Sequence, residues 1–309
     1  MNVLITGSNS GLGFETAKQL LAAGYTVIAA CRNEAKAADT QKRLQELTGS
    51  DQIIPLAFDL GVLAEIRGAV DRLEVPVDVL ICNAGLSYSE PTRYSKDGYE
   101  ETFAVNHLGH FLLTRLLLAK YPERLHRITV VSSEAHRGNI GPFPEAKFET
   151  FREMAFPDDT GVDNWKEMGA RRYVHSKLCN LIFAQELHRR LTQLGLDHIH
   201  VNAFNPGFIP ETGLGRYTSD WNKFMMKYIL PNMKLFIPAI RSVKQSAHDL
   251  IEVTLVHEDS GQYFDGNKSI FADDCCYDDK RGDELWDLSE ELCNYEVPAL
   301  DLVREATMG

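Results

Sequence analysis

"NVLITGSNSGLGFETAKQLLAAG", residues 2–24, joins a short apolar run, a glycine-bearing turn and an amphipathic stretch in one unit. Residues 2–6 read as a strand and residues 13–24 as a helix that stops at Gly24. Between them "TGSNSGLG" (6–13) sets Gly7, Gly11 and Gly13 where the chain passes from strand to helix. Glycine permits the tight turn and lets backbone N–H groups approach a pyrophosphate, whose charge the helix N-terminus stabilises. A glycine triplet alone says little. Set between a strand and a helix, it predicts a nucleotide site.

The alternation continues outward. "TVIAACR" (26–32), "IIPLAFDL" (53–60), "VDVLICNAG" (77–85), "RITVVSS" (127–133) and "IHVNAFNPG" (199–207) are short apolar runs. Helical stretches separate them: residues 35–49, 63–73, 101–121 and the segment around Tyr173. Nearly continuous β-rich runs alternating with helices predict an α/β fold, a doubly wound parallel sheet buried on both faces. No repeat, low-complexity tract or linker divides residues 1–309, so one domain is expected. Two segments break the rhythm. Residues 134–168 form an insertion before the Tyr173 helix, and residues 208–245 are rich in aromatic, Met and Pro residues. Ligands in such sheets bind beyond the carboxyl ends of the strands, where both segments emerge. Segment 208–245 is therefore expected to be a substrate lid, with Phe208, Trp221, Phe224, Met225, Met226, Tyr228 and Phe236 facing a bulky apolar ligand or packing on the core.

Composition narrows the classes. The chain of 309 residues is 44% hydrophobic and 25% charged, an ordinary globular balance, with a formal net charge of −12. That charge opposes nonspecific binding to nucleic acid or anionic membrane. No run approaches the ~18 apolar residues of a membrane span, and the first residues resemble no signal peptide. The six cysteines lack CxxC or metal spacing, and His107, His110, His136, His175 and His188 are not spaced as ligands. A reducing, cytoplasmic setting without a metal is expected.

At the end of the second strand, "AACRN" offers Arg32 where an NAD site would place an acid for the ribose hydroxyl. A guanidinium suits a 2′-phosphate, so NADP(H) is expected, with Lys36 as a helper; a solvated surface arginine is the alternative. In "ARRYVHSKLCN" (170–180), Tyr173 and Lys177 are i,i+4 neighbours on a helix. Such a pair is either a surface tyrosine along a lysine stem or a phenol whose pKa, near 10 when free, a cation lowers.

The glycine turn, "NAG" (83–85), "VVSS" (130–133) and Tyr173-x-x-x-Lys177 together resemble the short-chain dehydrogenase/reductase family. "VVSSEAHR", "SKLCNLIFAQELHRRL", "SGQYF" and "LWDLSEELC" are similar to the branch of the retinol dehydrogenases and the WW-domain oxidoreductase. "ACRN", "GYEETFAVNHLGHFLL" and "NPGFIPETGL" also resemble light-dependent protochlorophyllide reductases. The resemblance implies a Rossmann fold with Tyr173 as proton donor and Ser133, rather than Ser132, on the substrate oxygen. Lys177 would hold the nicotinamide ribose and lower the Tyr173 pKa, and Asn106 would anchor a water. Gly7, Ser10, Gly11, Leu12 and Gly13 would cradle the cofactor, with Asp59 and Leu60 near the adenine. Asn83, Ala84 and Gly85 would line its groove, and Pro206, Gly207 and Thr212 would border the nicotinamide. Compact relatives pair through helices around 106–120 and 173–191, which implies a homodimer unless the insertions alter that surface. Phe208 stands where the protochlorophyllide reductases carry a cysteine, and Glu211 precedes Thr212 where the retinol dehydrogenases place threonine.

The expected activity is NADPH-dependent hydride transfer to a bulky apolar carbonyl, or its reverse on the alcohol. Light-driven reduction of a tetrapyrrole double bond is one alternative. An NADPH-sensing interaction protein without turnover is another, against which the intact Ser133, Tyr173 and Lys177 speak.

Overall fold

The computed structural model describes residues 1–139, 143–209, 240–294, 300, 303 and 306. Its centre is a sheet in the order β3-β2-β1-β4-β5-β6-β7-β8. The strands are β1 (Asn2–Thr6), β2 (Thr26–Cys31), β3 (Ile53–Ala57), β4 (Val79–Cys82), β5 (Arg127–Val131), β6 (His200–Asn205), β7 (Tyr263–Asp265) and β8 (Lys268–Ile270). All pairings are parallel until β8, which returns antiparallel to β7.

Strand sequences lack polar alternation because both faces are covered. Leu4, Ile28, Leu80 and Ile128 enter one apolar cluster, whereas their neighbours Val3, Ile5, Val27, Val79 and Ile81 enter another. The second cluster packs under α1 (Gly11–Ala22), α2 (Glu34–Thr48) and α8 (Val243–Leu255). The first packs under α3 (Leu63–Asp71), α5 (Gly109–Lys120), α7 (Trp165–Gln193) and α9 (Asp279–Leu292). Short helices α4 (Glu101–Phe103) and α6 (Arg152–Ala155) complete the set among the described residues.

Several boundaries differ from the sequence expectation. The strands expected over 53–60, 77–85 and 199–207 end earlier, at Ala57, Cys82 and Asn205, because the chain leaves the ladder there to form loops at the carboxyl edge. The helix expected over 101–121 is interrupted by a π turn over Ala104–Leu108. The helix bearing Tyr173 begins inside the 134–168 insertion at Trp165, where Asn164 Oδ1 accepts from Glu167 N at 3.2 Å. Most of the expected lid, residues 210–239 with Thr212, Trp221, Phe224, Met225, Met226, Tyr228 and Phe236, lies outside the described residues. Its flanks meet: Phe208 bridges Ile240, and Arg241 N donates to Phe208 O at 3.0 Å. Helices α8 and α9 and strands β7 and β8 carry no prediction from periodicity. No helix among the described residues is long and apolar enough to cross a membrane.

Candidate active site

Strand order reverses between β1 and β4, each the other's neighbour but with chain running outward on both sides. A crevice opens at such a switch point, at the carboxyl ends of the strands. The β1–α1 turn, residues 83–86 after β4, Ser132 and Ser133 after β5, and the π turn all lie at this edge.

The turn is built for close backbone approach. A Cβ on Gly13 would sit 2.5 Å from Asn83 Nδ2 and 2.6 Å from Gly7 O. Asn83 Nδ2 donates to Thr6 O at 2.7 Å, and Thr6 Oγ1 accepts from Asn83 N and Ala84 N, both at 2.9 Å. Ser10 is the α1 N-cap in extended conformation and makes no side-chain cap bond, so the helix start stays available to an anion. A side chain on Gly13 would fill the cradle, and the residues present fit a pyrophosphate-bearing cofactor. Leu12, in the first turn of α1, is buried.

Arg32 sits at the end of β2 between two carboxylates, with Asp59 Oδ2 at 3.3 Å from Nε and Glu101 Oε1 at 3.2 Å from Nη2. Glu101 also accepts from Tyr88 OH at 3.2 Å. Asp59 Oδ1 accepts from Gly61 N at 2.9 Å, which turns the chain after β3 and leaves Leu60 buried against Gly109. Lys36 N is the donor to the α2 cap Asn33. On the far rim, Pro206 O accepts from Ser246 Oγ at 2.7 Å and Gly207 N donates to Asn205 Oδ1 at 3.1 Å.

At the centre, the buried Tyr173 phenol lies beside Ser133. Ser133 begins a 3-10 turn over Glu134–Arg137, its Oγ accepting from Ala135 N at 3.2 Å. Ser132 Oγ donates to Lys177 O at 2.8 Å. Lys177 Nζ donates to Val131 O at 3.0 Å and lies 5.6 Å from the Tyr173 ring centre. Gly85 stands before it, a Cβ there being 3.6 Å from Lys177 Nζ and 3.5 Å from Asn106 Oδ1. Asn106 Oδ1 accepts from Leu86 N at 2.8 Å, and Nδ2 donates to Leu86 O at 3.0 Å and Ser176 Oγ at 2.9 Å. The side chain is therefore a brace between the β4 loop and α7.

One electrostatic expectation is corrected. The Tyr173 phenol is not lowered here; burial pushes it up to about 12, with the neighbouring Ser133 hydroxyl opposing. The same burial draws Lys177 down to about 8. Both groups lose water, and in each case the neutral form gains.

Two neighbours were not legible beforehand. Phe143, from the insertion, stacks on Tyr173 with ring centres 5.7 Å apart at 29°. Nothing in local sequence marks a phenylalanine thirty residues away as a roof for the tyrosine. Glu101 reads locally as an acid favoured in a first helical turn, and only the fold brings it to Arg32.

Comparison with known proteins agrees with this geometry. The short chain dehydrogenase model matches residues 1–142. The WW domain-containing oxidoreductase of Homo sapiens is 33% identical over 306 residues, covering 94% of this chain and 67% of the relative. Retinol dehydrogenase 12 of Mus musculus is 33% identical over 297 residues, covering 94% of this chain and 85% of the relative. The crystal structure of an uncharacterised protein from Mycobacterium paratuberculosis superposes with a TM-score of 0.71 at 28% identity, covering 96% of this chain and 95% of that one. With similarity over 94% of its length to these relatives, the chain belongs to the short-chain dehydrogenase family of NAD(P)-dependent oxidoreductases, in a branch resembling the retinol dehydrogenases.

Proposed function

We propose that the protein transfers hydride between NADP(H) and a bulky, largely apolar carbonyl or its alcohol, with Tyr173 as proton donor. The observation that carries this reading is the buried Tyr173 phenol beside Ser133, one helical turn from the buried Lys177. When bound, the nicotinamide would supply or accept the hydride. Ser133 would hold the substrate oxygen, and Tyr173, protonated at neutral pH because burial holds its pKa up, would deliver a proton as charge develops there. Lys177, cationic below about 8, would stabilise the phenolate left behind. Phe143 over the phenol keeps water from this centre and favours an apolar substrate. The similarity to a retinol dehydrogenase over 94% of this chain and 85% of the relative supports the carbonyl–alcohol reaction over reduction of a ring double bond. Asn83, Ala84, Gly85, Pro206 and Gly207 would line the cofactor, with Asp59 and Leu60 toward the adenine.

Arg32 supports NADP(H), since its guanidinium can grip a 2′-phosphate, although that phosphate must displace Asp59 or Glu101. Fluorescence titration should therefore give a lower Kd for NADPH than NADH, and Arg32→Asp should narrow the gap. Equal affinities in the parent would remove the NADP assignment. With a panel of apolar aldehydes and ketones, Tyr173→Phe should cut kcat by ~10²–10⁴-fold while leaving NADPH affinity near normal. Wild-type turnover by that variant would overturn the mechanism.

A further inference from the structure

His110, on α5, is 1% exposed. Its Nε2 lies 2.8 Å from Thr6 Oγ1 and its Nδ1 lies 3.0 Å from Asn106 O. A backbone carbonyl only accepts, so Nδ1 carries the proton and Nε2 is a bare lone pair. Thr6 must then donate to Nε2, since its alternative acceptor, Ile81 O, is 3.4 Å away. The Thr6 oxygen meanwhile accepts from Asn83 N and Ala84 N, which uses both of its acceptor sites. Proton directions are thus set throughout: Asn83 and Ala84 donate to Thr6, Thr6 to His110, and His110 to Asn106.

At the far end, Asn106 clasps both backbone groups of Leu86 and reaches Ser176, whose hydroxyl donates to Tyr173 O at 2.8 Å. One neutral imidazole therefore grips the loop after β4 from both sides, at 83–84 through Thr6 and at 86 through Asn106. Gly85, between the grips, is the residue facing Lys177 Nζ. A second proton on the ring would aim an N–H at an oxygen with no acceptor site left. Burial, with the Lys177 charge adding to it, keeps that proton away and holds His110 down to about 4. His107, one turn earlier, has the opposite tautomer. Ser289 Oγ donates to Leu285 O, so His107 Nε2–H must donate to Ser289 Oγ at 2.9 Å, a bond that ties the π turn to α9.

We propose that His110 is a positioning residue whose two ring nitrogens separately set the two halves of the 83–86 loop, the Nε2 side governing cofactor affinity and the Nδ1 side governing turnover. The proposal rests on the oxidoreductase reading above for its kinetic consequences, but its structural half stands without any cofactor. Asparagine at this position reaches the Nδ1 partner only, and glutamine the Nε2 partner only. His110→Asn should weaken NADPH binding by about tenfold with kcat little changed, the loss expected for one orphaned buried partner. His110→Gln should show the reverse split, a fall in kcat of about tenfold with Kd near the parent value.

Hydrogen exchange and histidine ¹⁵N spectra on the full chain supply the readout that needs no cofactor. His110 should appear as the neutral Nδ1–H tautomer. Exchange at Asn83 and Ala84 should quicken in His110→Asn, and exchange at Leu86 in His110→Gln, with His107→Gln lowering the melting temperature but moving neither. An Nε2–H tautomer, or the same uniform exchange increase in both variants, would overturn the proposal. So would Kd and kcat that change together in step with the folded fraction. A parent protein that binds neither NADPH nor NADH would sink the oxidoreductase reading, and the exchange pattern would still judge the loop assignment.

Discussion

Lys177 is wholly enclosed, and burial lowers its ammonium to about 8 from an ordinary 10.5. The unfolded chain keeps that proton up to about 10.5, whereas the folded chain releases it near 8. Between those values the unfolded state binds more protons, so this residue makes stability rise with pH. Below 8 its full penalty is present, on the order of 3 kcal/mol from the 2.5-unit difference. Buried thiols such as Cys82, raised to about 12, act in the opposite sense above about 9. The informative quantity is therefore the difference between parent and Lys177→Met. In urea unfolding, Lys177→Met should be the more stable at pH 7, and the gap should close between pH 8 and 10. A constant gap across that range would mean that Lys177 is not held as a desolvated cation. A lysine so expensive to bury is the kind of residue that activity, rather than stability, retains.

Between α4 and α5, the π turn over Ala104–Leu108 turns the Asn106 peptide toward His110 and its side chain toward Leu86. Such single-turn bulges recur at functional sites because one extra residue re-aims the groups beside it. Gly109 closes the turn, and a Cβ there would lie 2.3 Å from Leu60 O. Two effects oppose in Gly109→Ala. Helix propensity would gain ~1 kcal/mol. Overlap with a backbone oxygen, which no side-chain rotation relieves, would cost ~1–3 kcal/mol or more. The clash should win, so the melting temperature should fall. NADPH affinity should weaken with it, because the displaced strand end carries Asp59. An unchanged or raised melting temperature would show that α5 can slide away from the 59–61 turn at no cost.

Across the whole molecule, α9 covers the helices through which compact relatives pair. Trp286 is 3% exposed, its ring centre 5.1 Å from that of Phe111 and 6.3 Å from that of Phe183, with the Arg115 and Arg190 guanidinium groups above it. Arg115 also pairs with Glu290 at 2.7 Å, and all of α5 from Gly109 to Leu118 is buried except Leu116. With no apolar stripe of α5 left open, light scattering should return the mass of a single chain. A dimer resistant to dilution would require a different surface. Trp286→Ala should destabilise by ~3–5 kcal/mol, the range for removing a core aromatic. It should leave Kd for NADPH within a few-fold in the folded fraction, since α9 lies away from the cradle.

Residues 2–13 were sufficient to place the first strand, the turn and the start of the first helix, because glycine geometry and strand–helix periodicity are local properties of the chain. The order Gly7, Asn83, Ser133, Tyr173, Lys177 likewise announced the family, each motif being readable in a window of a few residues. Tertiary structure alone decided the rest. It put Glu101 and Asp59 on Arg32, Phe143 on Tyr173 and α9 on α5 and α7. It also reversed the expected direction of the Tyr173 pKa, since the spacing to Lys177 can be counted in sequence but the loss of water cannot. His110 shows the limit most plainly. Its neighbours in sequence make it one more helix residue, and its meaning comes from Thr6, 104 positions away, which only the folded sheet brings to its ring.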